Sequence, residues 1–457
     1  MWLTWDFNHC YHTTNIELFF KIVLTTHFFS FFFQFVEEKS YFCKKSTNTE
    51  VKSMILEFCV TNYLSIKDEL KLSFIATSLK ESSIEPNALF SVGDTGISLV
   101  RSAVIYGANA SGKSNILKAF AFYKQFITDS FKNSQVGEAI DVETFRLNAT
   151  TAGEPVSMEA SFTDGDFIYR YGFEVSSETV ETEWLYKRAC KKRAKEVELF
   201  YREDGNTTVH PKSSLLQELV NKKMVRSNAL LLSTAAQFNE TTAISILRWL
   251  SDTQVLFCSE DEMLWQKAIK HLDDEAMQQR ITDFARYADL GIESITKTDN
   301  HIVSHHRQYD DEGRVVNNVP FAFNRNESEG TIKYFSLAYP IIDALDNGKR
   351  VVIDELDSRL HPLLVRKIVA LFNDASTNPK GAQLLFTAHD TYLLSAGLFR
   401  RDQVWFTQKN NFGATEFYSL AEYKVRSGSP FESDYLQGKY GATPIIGDIE
   451  NIFNLGK

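Results

Sequence analysis

Gly107-Ala108-Asn109-Ala110-Ser111-Gly112-Lys113-Ser114 spells G-x-x-x-x-G-K-S. The apolar run Ala103-Val104-Ile105-Tyr106 precedes it, and Asn115-Ile116-Leu117-Lys118-Ala119-Phe120 follows with helical character. A strand before and a helix after turn the pattern into a mechanism. The two glycines let the backbone curl tightly, so successive N–H groups point inward and hold a β-phosphate. Lys113 supplies a flexible positive charge to the β/γ-phosphates, and Ser114 offers a hydroxyl to Mg2+ at the positive end of the helix. The expected nucleotide-binding residues are Gly107, Ala108, Asn109, Ala110, Ser111, Gly112, Lys113, Ser114 and Asn115. A glycine turn with a chance Gly-Lys-Ser is the bland alternative, and the flanking elements argue against it.

The chain has 457 residues, 44% hydrophobic and 24% charged, enough for a large α/β domain with an insert or for two domains. A net charge of −10 argues against a generally DNA-coating protein but leaves room for a local basic groove. Cys10, Cys43, Cys59, Cys190 and Cys258 show no C-x-x-C spacing, which suits reduced thiols in a cytoplasmic protein. The first 53 residues differ from the rest and hold 10 of the 36 phenylalanines. Residues 18–36 are just long enough to span a membrane. However, Lys21, His27 and Gln34 interrupt them, and no positive residue precedes Lys21. The expectation is that residues 1–53 are an unstructured or hydrophobic leader outside the native fold, with Met54 as the natural start and membrane association unlikely.

From Met54 the pattern is orderly. Leu56, Phe58 and Val60 alternate with Glu57, Cys59 and Thr61 as in a half-buried strand, and Leu70-Lys71-Leu72-Ser73-Phe74 reads as its neighbour. Ile116, Phe120, Tyr123 and Ile127 keep helical spacing after the phosphate loop. Residues 167–175 are strand-like and aromatic, and lead into a basic run of Lys187, Arg188, Lys191, Lys192, Arg193 and Lys195. That run is either the solvated face of a hairpin or a contact for nucleic acid or an acidic partner. Lys222, Lys223 and Arg226 form a second basic group before a helical stretch at 228–249. His301, His305 and His306 lie beside a hairpin tip, Asp310-Asp311-Glu312-Gly313, between strands 301–308 and 315–323. No cysteine or paired carboxylate nearby in sequence gives those histidines a metal-binding context.

The second half of the site is Arg350-Val351-Val352-Ile353-Asp354-Glu355, an apolar strand ending in two acids. Asp354 is placed to hold the Mg2+ shell together with Ser114. Glu355 is placed to orient or deprotonate an attacking water.

Three further stretches complete a resemblance. Glu327-Ser328-Glu329-Gly330-Thr331 opens a helix that runs to Asp346. Asp357-Ser358-Arg359-Leu360-His361-Pro362 follows the acids, and Thr387-Ala388-His389-Asp390 follows the apolar run Gln383-Leu384-Leu385-Phe386. In this order they resemble the signature, D-loop and switch histidine of ATP-binding-cassette ATPases of the SMC/RecF/Rad50-like group. The nearest likeness is to the stand-alone RloA-like ATPases of bacterial phage-defence (abortive-infection) systems.

The resemblance covers residues 54–457, including Gly438-Lys439-Tyr440-Gly441-Ala442-Thr443-Pro444. It implies an α/β, ABC-type P-loop ATPase head, with a mixed-sheet N-lobe at 54–180, an inserted β/helical lid at 181–300, and a parallel-sheet C-lobe at 301–457. It also implies ATP as cofactor and a homodimer in which two chains sandwich two nucleotides. Ser328, Glu329 and Gly330 would then meet the partner's γ-phosphate, while Lys113, Glu355 and His389 act within their own chain. A serine hydroxyl, glycine N–H groups and a helix N-terminus do form an anion site, one that lacks a lysine of its own.

Two features depart from the family pattern. The positional candidate for a Q-loop, Phe145-Arg146-Leu147, has no glutamine. Pro340 falls inside the signature helix and should kink it.

Ser328 lies 214 residues beyond Ser114, and the segment between them shows no sustained heptads, which predicts a compact insert rather than long arms. The 68 residues after His389 have no room for a second catalytic domain. The reading is therefore an ATPase switch of a defence system, regulating a separate effector such as a nuclease or RloB-like protein. A RecF-like DNA repair or chromosome-maintenance ATPase is the alternative, and a transport ATPase subunit the third reading.

Overall fold

The structure, a computed structural model, describes residues 53–444 apart from 80–88, 134, 136, 258–259, 290, 299–300, 396 and 426–428. Apart from Ser53, the expected leader lies outside the described residues. So do Cys10, Cys43 and Cys258, while Cys59 and Cys190 are free thiols.

The run that reads as a buried strand is one. β5 (Ser102–Gly107) is buried along its whole length, and its alternate side chains serve two different cores. Ala103 and Ile105 face one, Val104 and Tyr106 the other. Only a strand covered on both faces has that pattern.

The six-stranded sheet around it runs β11 (Thr253–Leu256), β15 (Arg350–Ile353), β16 (Gln383–Thr387), β5, β17 (Val404–Lys409), β18 (Thr415–Ser419). The first five strands are parallel, and β18 returns antiparallel. One face packs on α1 (Lys113–Asn133) and the other on the long helix Glu329–Asn347.

The second sheet has seven strands, all antiparallel. They run β10 (Asn206–Val209), β9 (Val197–Glu203), β8 (Val180–Ala189), β7 (Phe167–Val175), β6 (Val156–Asp164), β1 (Ile55–Thr61), β2 (Leu70–Ser73). Its alternating apolar side chains close over α1. Phe58 meets Phe120 and Tyr123 edge-on, with ring centroids 5.1 and 5.6 Å apart, and Tyr123 stacks on Phe173. Buried polar side chains join the two sheets. Gln383 on β16 donates to Ile55 O (3.0 Å) and accepts from Ile55 N (2.6 Å). Arg350 stacks on Trp249 and donates to Thr253 Oγ1 and Ser53 O, and burial lowers its pKa to about 10. The expected α/β head is thus present, with the mixed strand pairing in the core sheet and a purely antiparallel N-terminal one.

Residues 181–300 distribute over several places. β8 to β10 extend the antiparallel sheet, and β11 forms the edge of the parallel one. The helical stretch at 228–249 divides into α3 (Leu231–Gln237) and α4 (Thr241–Ser251), which follow α2 (Ser214–Asn221). Asn239 takes a left-handed φ of 64° between them, and the Glu240 carboxylate caps α4 by accepting from Ala243 N. Beyond β11 come α5 (Asp261–Lys270), α6 (Glu275–Ala285) and β12 (Ile292–Thr298). β12 pairs with the hairpin β13 (His301–Tyr309) and β14 (Val315–Ala322) in a three-stranded antiparallel sheet. The single turn α7 (Phe323–Asn326) leads from that sheet into α8 (Glu329–Asn347). α8 is capped by Ser328 and ended by Gly348 in the left-handed conformation, and the helix continues through Pro340. Among the described residues no helix is long and apolar enough to cross a membrane.

Candidate nucleotide site

The site forms where β5, β16 and β15 end side by side, the edge at which open parallel sheets present ligands. From β5 the chain passes through Ala108, Asn109 and Ala110 and enters α1 at Lys113. Asn109 and Ala110 are exposed, and Ala110 holds a left-handed φ of 62°. At Gly112, φ is 110°, and a Cβ would collide with the Thr415 side chain, so glycine is required there on both counts. Lys113 Nζ donates to the carbonyls of Gly107 (2.8 Å) and Ala108 (3.1 Å). Burial holds this ammonium below the ordinary lysine range, opposed by the carboxylates of Glu355, Asp354 and Asp357. A partly desolvated cation over a curled backbone suits a polyphosphate.

Hydroxyls from distant segments support the loop. Ser111 Oγ and Thr407 Oγ1 are 2.6 Å apart, Thr415 Oγ1 donates to Ser111 O (2.9 Å), and Ser65 Oγ meets Thr415 Oγ1 at 2.8 Å. Asn115 Nδ2 donates to Ser65 Oγ at 2.7 Å. Sequence reasoning finds none of Ser65, Thr407 or Thr415, because no local spacing marks a serine or threonine that packs against a loop 50 or about 300 residues away.

On the neighbouring strands, Thr387 Oγ1 donates to Asp354 Oδ1 and accepts from Glu355 N, both at 2.7 Å. Asp354 is 8% exposed. Glu355 has a left-handed φ of 51°, and its Oε1 lies 3.6 Å from His389 Nε2. Asp357 Oδ2 accepts from the backbone N–H groups of His389 (2.7 Å) and Asp390 (2.6 Å), which fixes the chain after β16. The structure therefore brings Lys113, Asp354, Glu355 and His389 into one cluster. Thr387→Val would leave a buried carboxylate and an N–H without this partner. The expected loss is about 1–3 kcal/mol in urea unfolding.

Ser328, Glu329 and Gly330 stand at the N-terminal end of α8. Ser328 Oγ accepts from Thr331 N (3.0 Å), and Glu329 is exposed beside Arg359 at 3.6 Å. A Cβ on Gly330 would sit 2.8 Å from Arg359 O, so the loop after β15 approaches this turn closely. Arg359 also reaches Asp261 (3.2 Å), which pairs with the buried Lys333. The expected Q-loop segment carries no glutamine. Its Phe145 N–H donates to Asn62 Oδ1 instead. The basic run lies on β8 and the β8–β9 turn, where Lys191, Lys192, Arg193 and Lys195 are exposed and Lys187 lies 3.7 Å from the Phe167 ring centroid.

Comparison with solved structures finds distant likenesses. The SMC head domain from Thermotoga maritima is 12% identical, with 81% of this chain and 99% of that chain covered and a TM-score of 0.39. The recombination mediator protein RecF of the RecFOR pathway is also 12% identical, with 80% and 99% covered and a TM-score of 0.31. CbiO1 from Clostridium perfringens, part of the ABC transporter complex cbiONQ, is 11% identical, with 89% and 98% covered and a TM-score of 0.31. No curated protein matches in sequence. A family model matches residues 102–395, well over half of the chain and every motif of the site, so the chain belongs to the AAA ATPase family described as "AAA domain, putative AbiEii toxin, Type IV TA system".

Proposed function

We propose that the chain binds ATP with Mg2+ and hydrolyses it to ADP and phosphate as a homodimeric switch that regulates a separate effector, such as a nuclease, in a phage-defence system. The observation that carries the reading is the meeting of Lys113, Asp354, Glu355 and His389 at the adjacent ends of β5, β15 and β16. Lys113 and the loop N–H groups would hold the phosphates. The oxygens of Ser114 and Asp354 are the hard donors that Mg2+ takes, and the ion would neutralise charge on the β/γ-phosphates. Glu355 would take the proton of the attacking water, with His389 beside it facing the γ-phosphate. The exposed Ser328 turn would serve the nucleotide held by the second copy.

The defining experiment is ATP hydrolysis measured against protein concentration. Activity per chain should rise steeply as dimers form. A rate per chain that stays constant down to dilutions where only monomers exist would overturn the reading. Lys113→Ala removes one charge-assisted contact to phosphate, worth about 1.5–3 kcal/mol. ATP affinity should therefore fall by about 10–150-fold in a binding titration.

A second reading, a RecF-like DNA-maintenance ATPase, draws on the exposed basic turn of Lys191, Lys192, Arg193 and Lys195. It predicts DNA-stimulated hydrolysis that charge reversal of those four residues abolishes.

A further inference from the structure

Three segments converge at the foot of the signature turn. Asp289 lies between α6 and β12, His306 lies in β13, and Glu327 ends α7 immediately before Ser328. One ligand atom from each lies within 4.8 Å of the other two. His306 Nε2 is 2.7 Å from Glu327 Oε1, and the Ser304 hydroxyl donates to that same oxygen. Asp289 Oδ1 accepts from Gly291 N at 2.8 Å. A Cβ on residue 291 would fall 3.0 Å from His306 Nδ1 and 3.1 Å from Asp289 Oδ1, so the glycine keeps this side open. Phe321 packs against the imidazole with ring centroids 4.8 Å apart and fixes its plane. The Glu327 side chain is 3% exposed and that of His306 16%.

Two carboxylates crowd one imidazole here, and the Glu327 and His306 side chains have little access to solvent, so a bound cation would offset charge that water reaches poorly. One imidazole nitrogen and two carboxylate oxygens are the mixed donors that borderline divalent ions take, with water completing a tetrahedron. At metal–ligand bonds of about 2.0 Å the donors stand about 3.3 Å apart, a spacing reached here by small side-chain movements. In sequence no cysteine or paired carboxylate is placed to complete a site with the histidines, but folding delivers Asp289 and Glu327 from either side of the three strands.

We propose that Asp289, His306 and Glu327 form a binding site for a divalent transition-metal ion of the zinc class. The ion clamps β13 and the turn before β12 to the residue that precedes Ser328. The site is independent of the nucleotide reading, so its failure would leave that reading untouched.

The test uses the full chain, purified without a histidine tag and stripped with a chelator, then titrated with Co2+. The absorption of this probe reports coordination geometry and reveals any thiolate ligand. Expected are one Co2+ per chain, a spectrum without a thiolate band, displacement by Zn2+, and a rise of a few degrees in the unfolding midpoint. His306→Ala and Glu327→Gln should each weaken binding by at least about 100-fold, the upper end of what loss of an outer-shell partner costs. If either variant misfolds by circular dichroism, Asp289→Asn, in a half-buried turn, decides by the same measure. No binding, a thiolate band, or affinity unchanged in the folded variants would overturn the proposal.

Discussion

Ser328→Arg is expected to bind ATP as the wild type does and to lose turnover by about 10³–10⁵, the range for groups supplied in trans to a γ-phosphate. That factor corresponds to about 4–7 kcal/mol of transition-state stabilisation. Ser328 is exposed at the head of α8, so an arginine has room, and the residue has no part in the chain's own phosphate loop. The substitution also removes a helix cap, worth about 1 kcal/mol, which is too little to account for the loss. Ser328→Asp separates the two effects, because it keeps the cap while its charge repels phosphate. Both variants should be inactive in single-turnover hydrolysis and remain monomeric with ATP in sedimentation. Wild-type turnover by Ser328→Arg would rule out the shared site.

Glu355→Gln is expected to slow hydrolysis by about 10²–10⁴, the usual contribution of a positioned general base. Glutamine preserves the shape of the side chain, and the backbone bond from residue 355 to Thr387 Oγ1 is untouched. Binding should therefore survive while the chemical step fails. The stalled enzyme should accumulate as an ATP-bound pair, seen by light scattering after gel filtration. Turnover within tenfold of wild type would place the base elsewhere.

The elements that carry these residues were legible because their signals are local. A buried apolar run ending in glycine or acids marks β5 and β15, and a serine followed by helical spacing marks the start of α8. Asp310-Asp311-Glu312-Gly313 reads as a hairpin tip, and the structure turns there between β13 and β14. What was hidden depends on pairing across long separations. The three buttressing hydroxyls and the Asp357 contacts involve partners that no period in the sequence connects. The break between α3 and α4 rests on one left-handed asparagine, a conformation that residue tolerates without requiring. The His306 cluster shows the same limit, since its carboxylates come from either side of the β12–β14 sheet in sequence.

Thr407 and Thr415 lie 296 and 304 residues downstream of Ser111, the loop residue they contact. β17, which lies against β5, is made equally late. At roughly 5–20 residues per second, a ribosome needs about 15–60 s to travel that far. A polypeptide abandoned before Val404 therefore carries the whole G-x-x-x-x-G-K-S motif without the scaffold that shapes it. The contacts that brace Ser111 and the flank of β5 can therefore form only once the last strands of the sheet have been made.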